Sequence, residues 1–267
     1  MLTLSDGRRW LIDCGRQAPD QMHRAGLVWH DIHGQIVTHV HGDHVFGLED
    51  FAFGRFYETK NDVQAIVAGG PRPGFVAHSA VTEEVWSTMY ASLRYYKEGD
   101  NPTAGTLETY FDVRPAARVE APRDNAWNHA EHFDVDGTAI VARESEHVPG
   151  KPSCSLEISV DEGSDRIAWW SGDCTVDEGL LSVLEPRTSI FFHDCTFVEY
   201  PGQVHGAFSL LRALPAAVRK KMVLMHHEDN IELNRSEAEA LGFRIGMPGD
   251  EWDLVRGVRT VAGDAAE

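Results

Sequence analysis

The sequence predicts a mixed α/β fold, and three observations carry that expectation. Short apolar runs of strand length recur along the chain and end in polar turns. Between several of them lie stretches whose apolar residues fall at helical spacing. The length, 267 residues, is enough to bury a full core and does not by itself call for two domains. Residues 258–267 read as a frayed acidic tail.

In chain order, 9–13 reads as a strand closed by a turn at Asp13-Cys14-Gly15, and 17–34 as mixed loop and helix. A strand over 35–38 follows. Apolar residues at helical spacing predict a helix over 46–56, and 64–68 has the composition of a buried strand. The acidic start at Thr82-Glu83-Glu84 opens a helix expected to run to 97, with Val85, Trp86, Met89, Leu93 and Tyr96 as its apolar stripe. Residues 97–114 are less regular, and 115–137 read as an acidic loop. Strands are expected over 138–143, 155–160, 167–171, 188–192 and 221–225, with helices over 207–214 and 235–242.

Charge and cysteine usage narrow the functional classes. The formal net charge is −18, and basic residues cluster only at Arg219-Lys220-Lys221. Proteins that hold long nucleic acids draw most of their affinity from a basic face, so no long nucleic acid is expected as a partner. No apolar run reaches the length of a membrane span, so no membrane partner is expected. Cys14, Cys154, Cys174 and Cys195 form no C-x-x-C pair and read as reduced thiols of a cytoplasmic protein.

The stretch after the 35–38 strand carries the chemistry. His39, His41, Asp43 and His44 form a His-x-His-x-Asp-His run. Side chains two apart in a loop leaving a strand can converge on one point, and the pair behind them on a neighbouring point. Imidazole nitrogen and carboxylate oxygen suit zinc and similar divalent ions. Two such ions about 3.5–4 Å apart can clamp a hydroxide and a substrate oxygen together.

This run resembles the metal-binding signature of the metallo-β-lactamase superfamily. The resemblance implies an αββα sandwich, two mixed β-sheets flanked by helices, formed by residues 1–257 as one domain. It implies two divalent metal ions, zinc foremost, with manganese or iron as alternatives. It assigns His39, His41, His147 and Asp173 to the first ion, and Asp43, His44, Asp173 and His226 to the second. His226 is preferred to His227 because it directly follows an apolar strand. Asp13-Cys14-Gly15 matches the superfamily's Asp-x-Gly, which implies that Asp13 braces the metal loop through hydrogen bonds.

Two further stretches resemble ribonuclease Z and its relatives. His193-Asp194-Cys195-Thr196 is similar to their His-Glu-Ala-Thr motif, with Asp in place of Glu. His205 resembles their phosphate-contacting histidine, with Gly206 where Ser is usual. The resemblance implies a dinuclear phosphodiesterase in which a metal-bridging hydroxide attacks phosphorus. Asp43 then serves at the metal centre, His205 protonates the leaving oxygen, and Asp194 orients His205 and raises its pKa. His193 is expected to stand behind these groups.

Only 26 positions separate His147 from Asp173, which leaves no room there for the arm that grips tRNA. The chain therefore resembles the armless branch, whose members act on small cyclic phosphates or cyclic nucleotides, among them phage enzymes that degrade immune signalling nucleotides. A small nucleotide or cyclic phosphate is the expected partner, and a homodimer the expected assembly. The alternatives are a tRNA 3′-end processing endonuclease and a lactonase or thioesterase of the same fold. Substrate choice is expected to lie in the interval 44–147, where Arg94, Tyr95, Tyr96 and Lys97 suit either nucleotide contacts or a dimer face.

Overall fold

The computed structural model describes residues 1–58, 72–98, 101–119 and 130–261. The chain divides into two compact units, 1–116 and 117–267. Each is a sheet with helices, and each carries candidate site residues at or just past strand ends.

The first unit holds a five-stranded sheet in the order β1-β2-β3-β4-β7. Its strands are β1 (Leu2–Thr3), β2 (Arg9–Ile12), β3 (Gly34–Val37), β4 (Gly74–Ala77) and β7 (Asp112–Val113). β2, β3, β4 and β7 run parallel and only β1 is antiparallel. Every residue of β3 and β4 is buried, as expected of parallel strands covered on both faces. Helices Leu48–Glu58 and Ser79–Leu93 supply much of the cover. Phe51 stacks on Phe111 at 6.0 Å, and Phe75 meets Phe111 at 5.4 Å.

The helix expected over 82–97 starts earlier and stops at Leu93. The carbonyls of Leu93 and Arg94 are claimed from outside, by the Tyr110 hydroxyl at 2.8 Å and the Gly105 N–H at 2.7 Å. Residues beyond turn into a hairpin, β5 (Tyr95–Glu98) against β6 (Asn101–Ala104). The strand expected over 64–68 lies outside the described residues.

The second unit holds an eight-stranded sheet in the order β15-β14-β13-β12-β11-β10-β9-β8. These are β8 (Ala117–Val119), β9 (Ala130–Val135), β10 (Thr138–Glu144), β11 (Cys154–Ser159), β12 (Ile167–Trp170), β13 (Thr188–Asp194), β14 (Met222–Met225) and β15 (Arg244–Ile245). β8 to β12 are antiparallel, and β12 to β15 parallel. The core on one face packs Trp169, Phe191, Leu180, Leu184, Phe208 and Leu211 together. The acidic loop expected over 115–137 therefore contains two strands. Glu131, buried inside β9, interrupts the apolar alternation that would have revealed one of them.

The tail expected to fray begins instead as a strand, β17 (Val258–Val261), paired with β16 (Glu251–Asp253). The Arg259 guanidinium lies 5.9 Å over the Trp252 ring, which helps hold the pair. Among the described residues no helix is long and apolar enough to cross a membrane.

Candidate metal and phosphodiester site

β3 ends at Val37 and hands the chain to Thr38, His39, Val40 and His41, after which a single helical turn, Gly42–Val45, carries Asp43 and His44. The strand end and the turn fold the donors together. His39 Nε2 lies 3.1 Å from His41 Nδ1, and the His39 and His44 ring centroids are 4.1 Å apart. His44 Nε2 lies 3.6 Å from Asp43 Oδ2.

Asp13 fixes this cluster from beneath. Its Oδ1 accepts the Thr38 N–H at 2.8 Å, and its Oδ2 accepts the Thr38 hydroxyl at 2.8 Å. The same Oδ2 is 2.9 Å from His44 Nδ1. Reaching all three requires φ +62° at Asp13, a conformation uncommon outside glycine. Gly15 then passes so close to the metal loop that a Cβ there would sit 1.7 Å from the Asp43 carbonyl oxygen, so no other residue fits.

The second unit assembles its groups from five separate strand ends and loops. His147 follows β10, and its Nδ1–H donates to the Val204 carbonyl at 2.9 Å. Asp173 follows β12 and is buried. Asp194 ends β13, its Oδ2 accepting the Cys174 N–H at 3.1 Å and the His205 Nδ1–H at 2.8 Å. Its Oδ1 lies 3.5 Å from His226 Nδ1, and His226 Nε2 lies 3.7 Å from Asp173 Oδ1. Asp173, Asp194, His205 and His226 thus offer ligand atoms within 4.8 Å of one another. His205 and His226 stack at 5.5 Å.

Gly206, at the position where the resembled motif has Ser, is explained by this crowding. A Cβ there would lie 2.2 Å from the Asp194 carbonyl oxygen.

The electrostatics follow from the contacts. Burial pushes the Asp194 carboxyl up, but the hydrogen bond from His205 and the nearby His226 imidazole outweigh it and bring its pKa to about 2. The hydrogen bond to Asp194 raises the His205 pKa against the opposing effect of burial. Burial lowers that of His147, which favours the neutral, ligating form. The four cysteines are free and buried, and burial holds the Cys14 thiol up at about 12.

The donors fit a divalent ion. With Nδ1 of His44 on a carboxylate and Nδ1 of His147 on a carbonyl, each ring is oriented with Nε2 for ligation, the usual device for metal-binding histidine. Tetrahedral coordination at zinc–nitrogen distances near 2.05 Å places ligand nitrogens about 3.3 Å apart, close to the His39–His41 separation.

His227, the competitor for the last ligand position, engages the Gly246 carbonyl at 3.1 Å and the Glu228 carbonyl at 3.3 Å. His193 is fully buried, with Nδ1 on the Asp194 carbonyl at 2.6 Å and its ring 5.5 Å from Trp169. Sequence reasoning missed Ser171, whose hydroxyl accepts the Asp194 N–H at 2.8 Å, and the Val204 carbonyl under His147. It also missed Glu228, although a carboxylate directly after a histidine pair was a visible signal.

Comparison with known proteins agrees in both sequence and fold. The family model described as Anti-Pycsar protein Apyc1 matches residues 1–245. The protein of that name from Paenibacillus harenae is 31% identical over 229 residues, covering 85% of this chain and 81% of the relative. The metallo-β-lactamase fold protein YhfI from Bacillus subtilis superposes with a TM-score of 0.59 at 15% identity, over 90% of this chain and 85% of its own. The short form of human tRNase Z superposes with a TM-score of 0.56 at 18% identity, over 89% of this chain and 85% of its own. At these identities the two structures establish the fold.

Proposed function

The chain belongs to the Anti-Pycsar protein Apyc1 family and is a metal-dependent hydrolase of the metallo-β-lactamase fold, and on that premise we propose that it cleaves the phosphodiester of small nucleotides, cyclic nucleotides first among them. The observation that carries this reading is the Asp194–His205 pair, 2.8 Å apart beside Asp173 and His226. A thioester gives up its thiolate without such a proton donor. A ribose alkoxide does not.

The metal ligands in this reading are His39, His41, His147 and Asp173 for one ion, and Asp43, His44, Asp173 and His226 for the other. Zinc suits a donor set so rich in nitrogen. When bound, the ions supply a nucleophilic hydroxide at neutral pH and stabilise charge on the phosphoryl oxygens.

The chain's own residues do the rest. Asp194 remains ionised and accepts the Nδ1–H of His205, which fixes the ring and favours its imidazolium form. The Nε2–H, across the ring from the nitrogen that Asp194 holds, is then the proton source. As the phosphorus–oxygen bond breaks, that proton passes to the departing ribose oxygen and His205 is left neutral. Asp13 holds His44, and the Val204 carbonyl holds His147, so that neither ring turns during a cycle.

Two features favour small substrates over tRNA. The interval between His147 and Asp173 is filled by β11 and β12, paired antiparallel. The charge of −18 disfavours a long polyanion. Four buried thiols fit a reducing, cytoplasmic compartment. The exposed rings of Tyr90 and Tyr95, each about 5 Å from the Arg94 guanidinium (5.2 and 5.0 Å), suit nucleobase stacking or the contact face of a homodimer. Light scattering distinguishes the two, since a monomer in solution removes the second.

The deciding experiment is digestion of a panel of 2′,3′- and 3′,5′-cyclic mononucleotides, cyclic dinucleotides and a precursor tRNA with the zinc- or manganese-loaded enzyme, His205→Ala in parallel. Cleavage of cyclic compounds that the variant loses is the expected result. Turnover of lactones or thioesters with silence on every phosphodiester would overturn the reading.

A further inference from the structure

We infer that Glu228 is a positioning residue for the proton donor: its carboxylate ties together the three loops that carry His226, Asp194 and His205. The inference deepens the phosphodiesterase reading and rests on it.

Glu228 stands two residues beyond His226. Its Oε1 accepts the Thr196 hydroxyl, and its Oε2 accepts the Phe197 N–H at 3.1 Å. Thr196 stands two residues beyond Asp194 and is itself pinned to the segment that follows His205. Its N–H donates to the Gly206 carbonyl at 2.9 Å, and its carbonyl accepts the Phe208 N–H at 3.0 Å. Thr196 and Ala207 form an isolated parallel bridge. One carboxylate thereby closes a chain of contacts from the turn bearing His226, through the segment after Asp194, to the segment after His205.

The backbone shows why such a tie is needed. His226 holds φ +55°, a left-handed conformation that is strained for a non-glycine residue and persists only when its surroundings enforce it. On its N-terminal side the Cys195 N–H donates to the Met225 carbonyl at 3.0 Å. On its C-terminal side the turn is held by His227, on the Gly246 carbonyl, and by Glu228, which alone of the two reaches the segment after Asp194. The distance it protects is short: His205 Nδ1 must stay 2.8 Å from Asp194 Oδ2. A shift of about 1 Å at a positioned catalytic group can cost on the order of 100-fold in rate.

A residue that merely stabilised the fold would lower the turnover of every substrate alike. A residue that positions the proton donor matters most where the leaving group needs a proton. The test therefore compares kcat for bis-p-nitrophenyl phosphate, whose phenolate departs unaided, with kcat for the poorest-leaving-group phosphodiester the wild-type enzyme turns over, up to the 3′,5′-cyclic nucleotides. It uses wild type, Glu228→Ala, Glu228→Gln, His205→Ala and the Glu228→Ala/His205→Ala double variant. Metal content and thermal midpoint are measured on each.

Glu228→Ala is expected to keep its metal and lose about 10–100-fold on the poor leaving group. On the nitrophenyl ester it should lose less than about 3-fold. Glu228→Gln keeps one acceptor and falls between. In the double variant the Glu228 effect on the poor leaving group disappears, because no donor remains to be positioned. Should Glu228→Ala fail to fold, Thr196→Val, which removes the hydroxyl and keeps the shape, must give the same pattern. Equal losses on both substrates, or lost metal, would overturn the inference. If His205→Ala itself fails to separate the two substrates, the general-acid reading falls instead, and the two failures are distinguished.

Discussion

In the first unit, four donors come from six consecutive residues, 39–44, and one carboxylate, Asp13, braces them. In the second, His147, Asp173, Asp194, His205 and His226 come from five places along 80 positions. No single residue can hold them locally, and the work passes to contacts between distant loops: Ser171 under Asp194, Val204 under His147, Glu228 across to Thr196. The contiguous cluster should therefore be sensitive mainly to its own residues and to Asp13. The dispersed one should be sensitive to residues that touch neither metal nor substrate.

The largest expected effect would break the comparison if it failed. Asp173→Asn removes a charge assigned to both ions, and both metal content by elemental analysis and activity should fall to background. Next is His205→Ala, expected to cost about 10²–10⁴-fold in kcat on a nucleotide substrate and far less on bis-p-nitrophenyl phosphate. Metal content should be unchanged.

Asp13→Asn sharpens the comparison from the other side. It should weaken metal affinity about 10–100-fold without changing the dependence on leaving group, because among the described residues the Asp13 carboxylate bonds to Thr38 and His44 of the first cluster. Equilibrium titration with a chelator checks this. A leaving-group effect in Asp13→Asn would mean that the clusters are not independently braced.

The pH profile comes next. The His205 pKa is raised by Asp194, so its acid form is complete below the ordinary histidine value and is lost as pH rises through the raised one. Turnover of a nucleotide should fall along that alkaline limb. In Asp194→Asn the limb should move to lower pH, because the hydrogen bond that raises the His205 pKa is weakened. An unmoved limb would show that another group titrates. The smallest effect concerns Gly206→Ala, which places a Cβ 2.2 Å from a backbone oxygen. It should destabilise the fold by about 1–3 kcal/mol, measured by urea unfolding.

The same contrast governs what was legible in the sequence. The run 39–44 is readable because its geometry is local: residues alternating off a strand end must converge. Asp173 and His226 were readable as polar residues closing apolar strands. Their neighbours were not, because nothing in a one-dimensional string pairs Glu228 with Thr196 or Val204 with His147. Helix limits failed for the same reason. The stripe from Val85 to Tyr96 continues at helical spacing, but Tyr110 and Gly105 take the carbonyls at Leu93 and Arg94 and end the helix there. β9 hid behind buried Glu131.

The main chain at Gly206 passes tightly beside Asp194. The resembled motif carries Glu and Ser at these two positions, and this chain carries Asp and Gly. An aspartate reaches one methylene less far than a glutamate. Here that shorter carboxylate reaches His205 at 2.8 Å, while the main chain at 206 runs too close to the Asp194 carbonyl oxygen for any side chain. Position 206 therefore tolerates no side chain while Asp194 stays where it is.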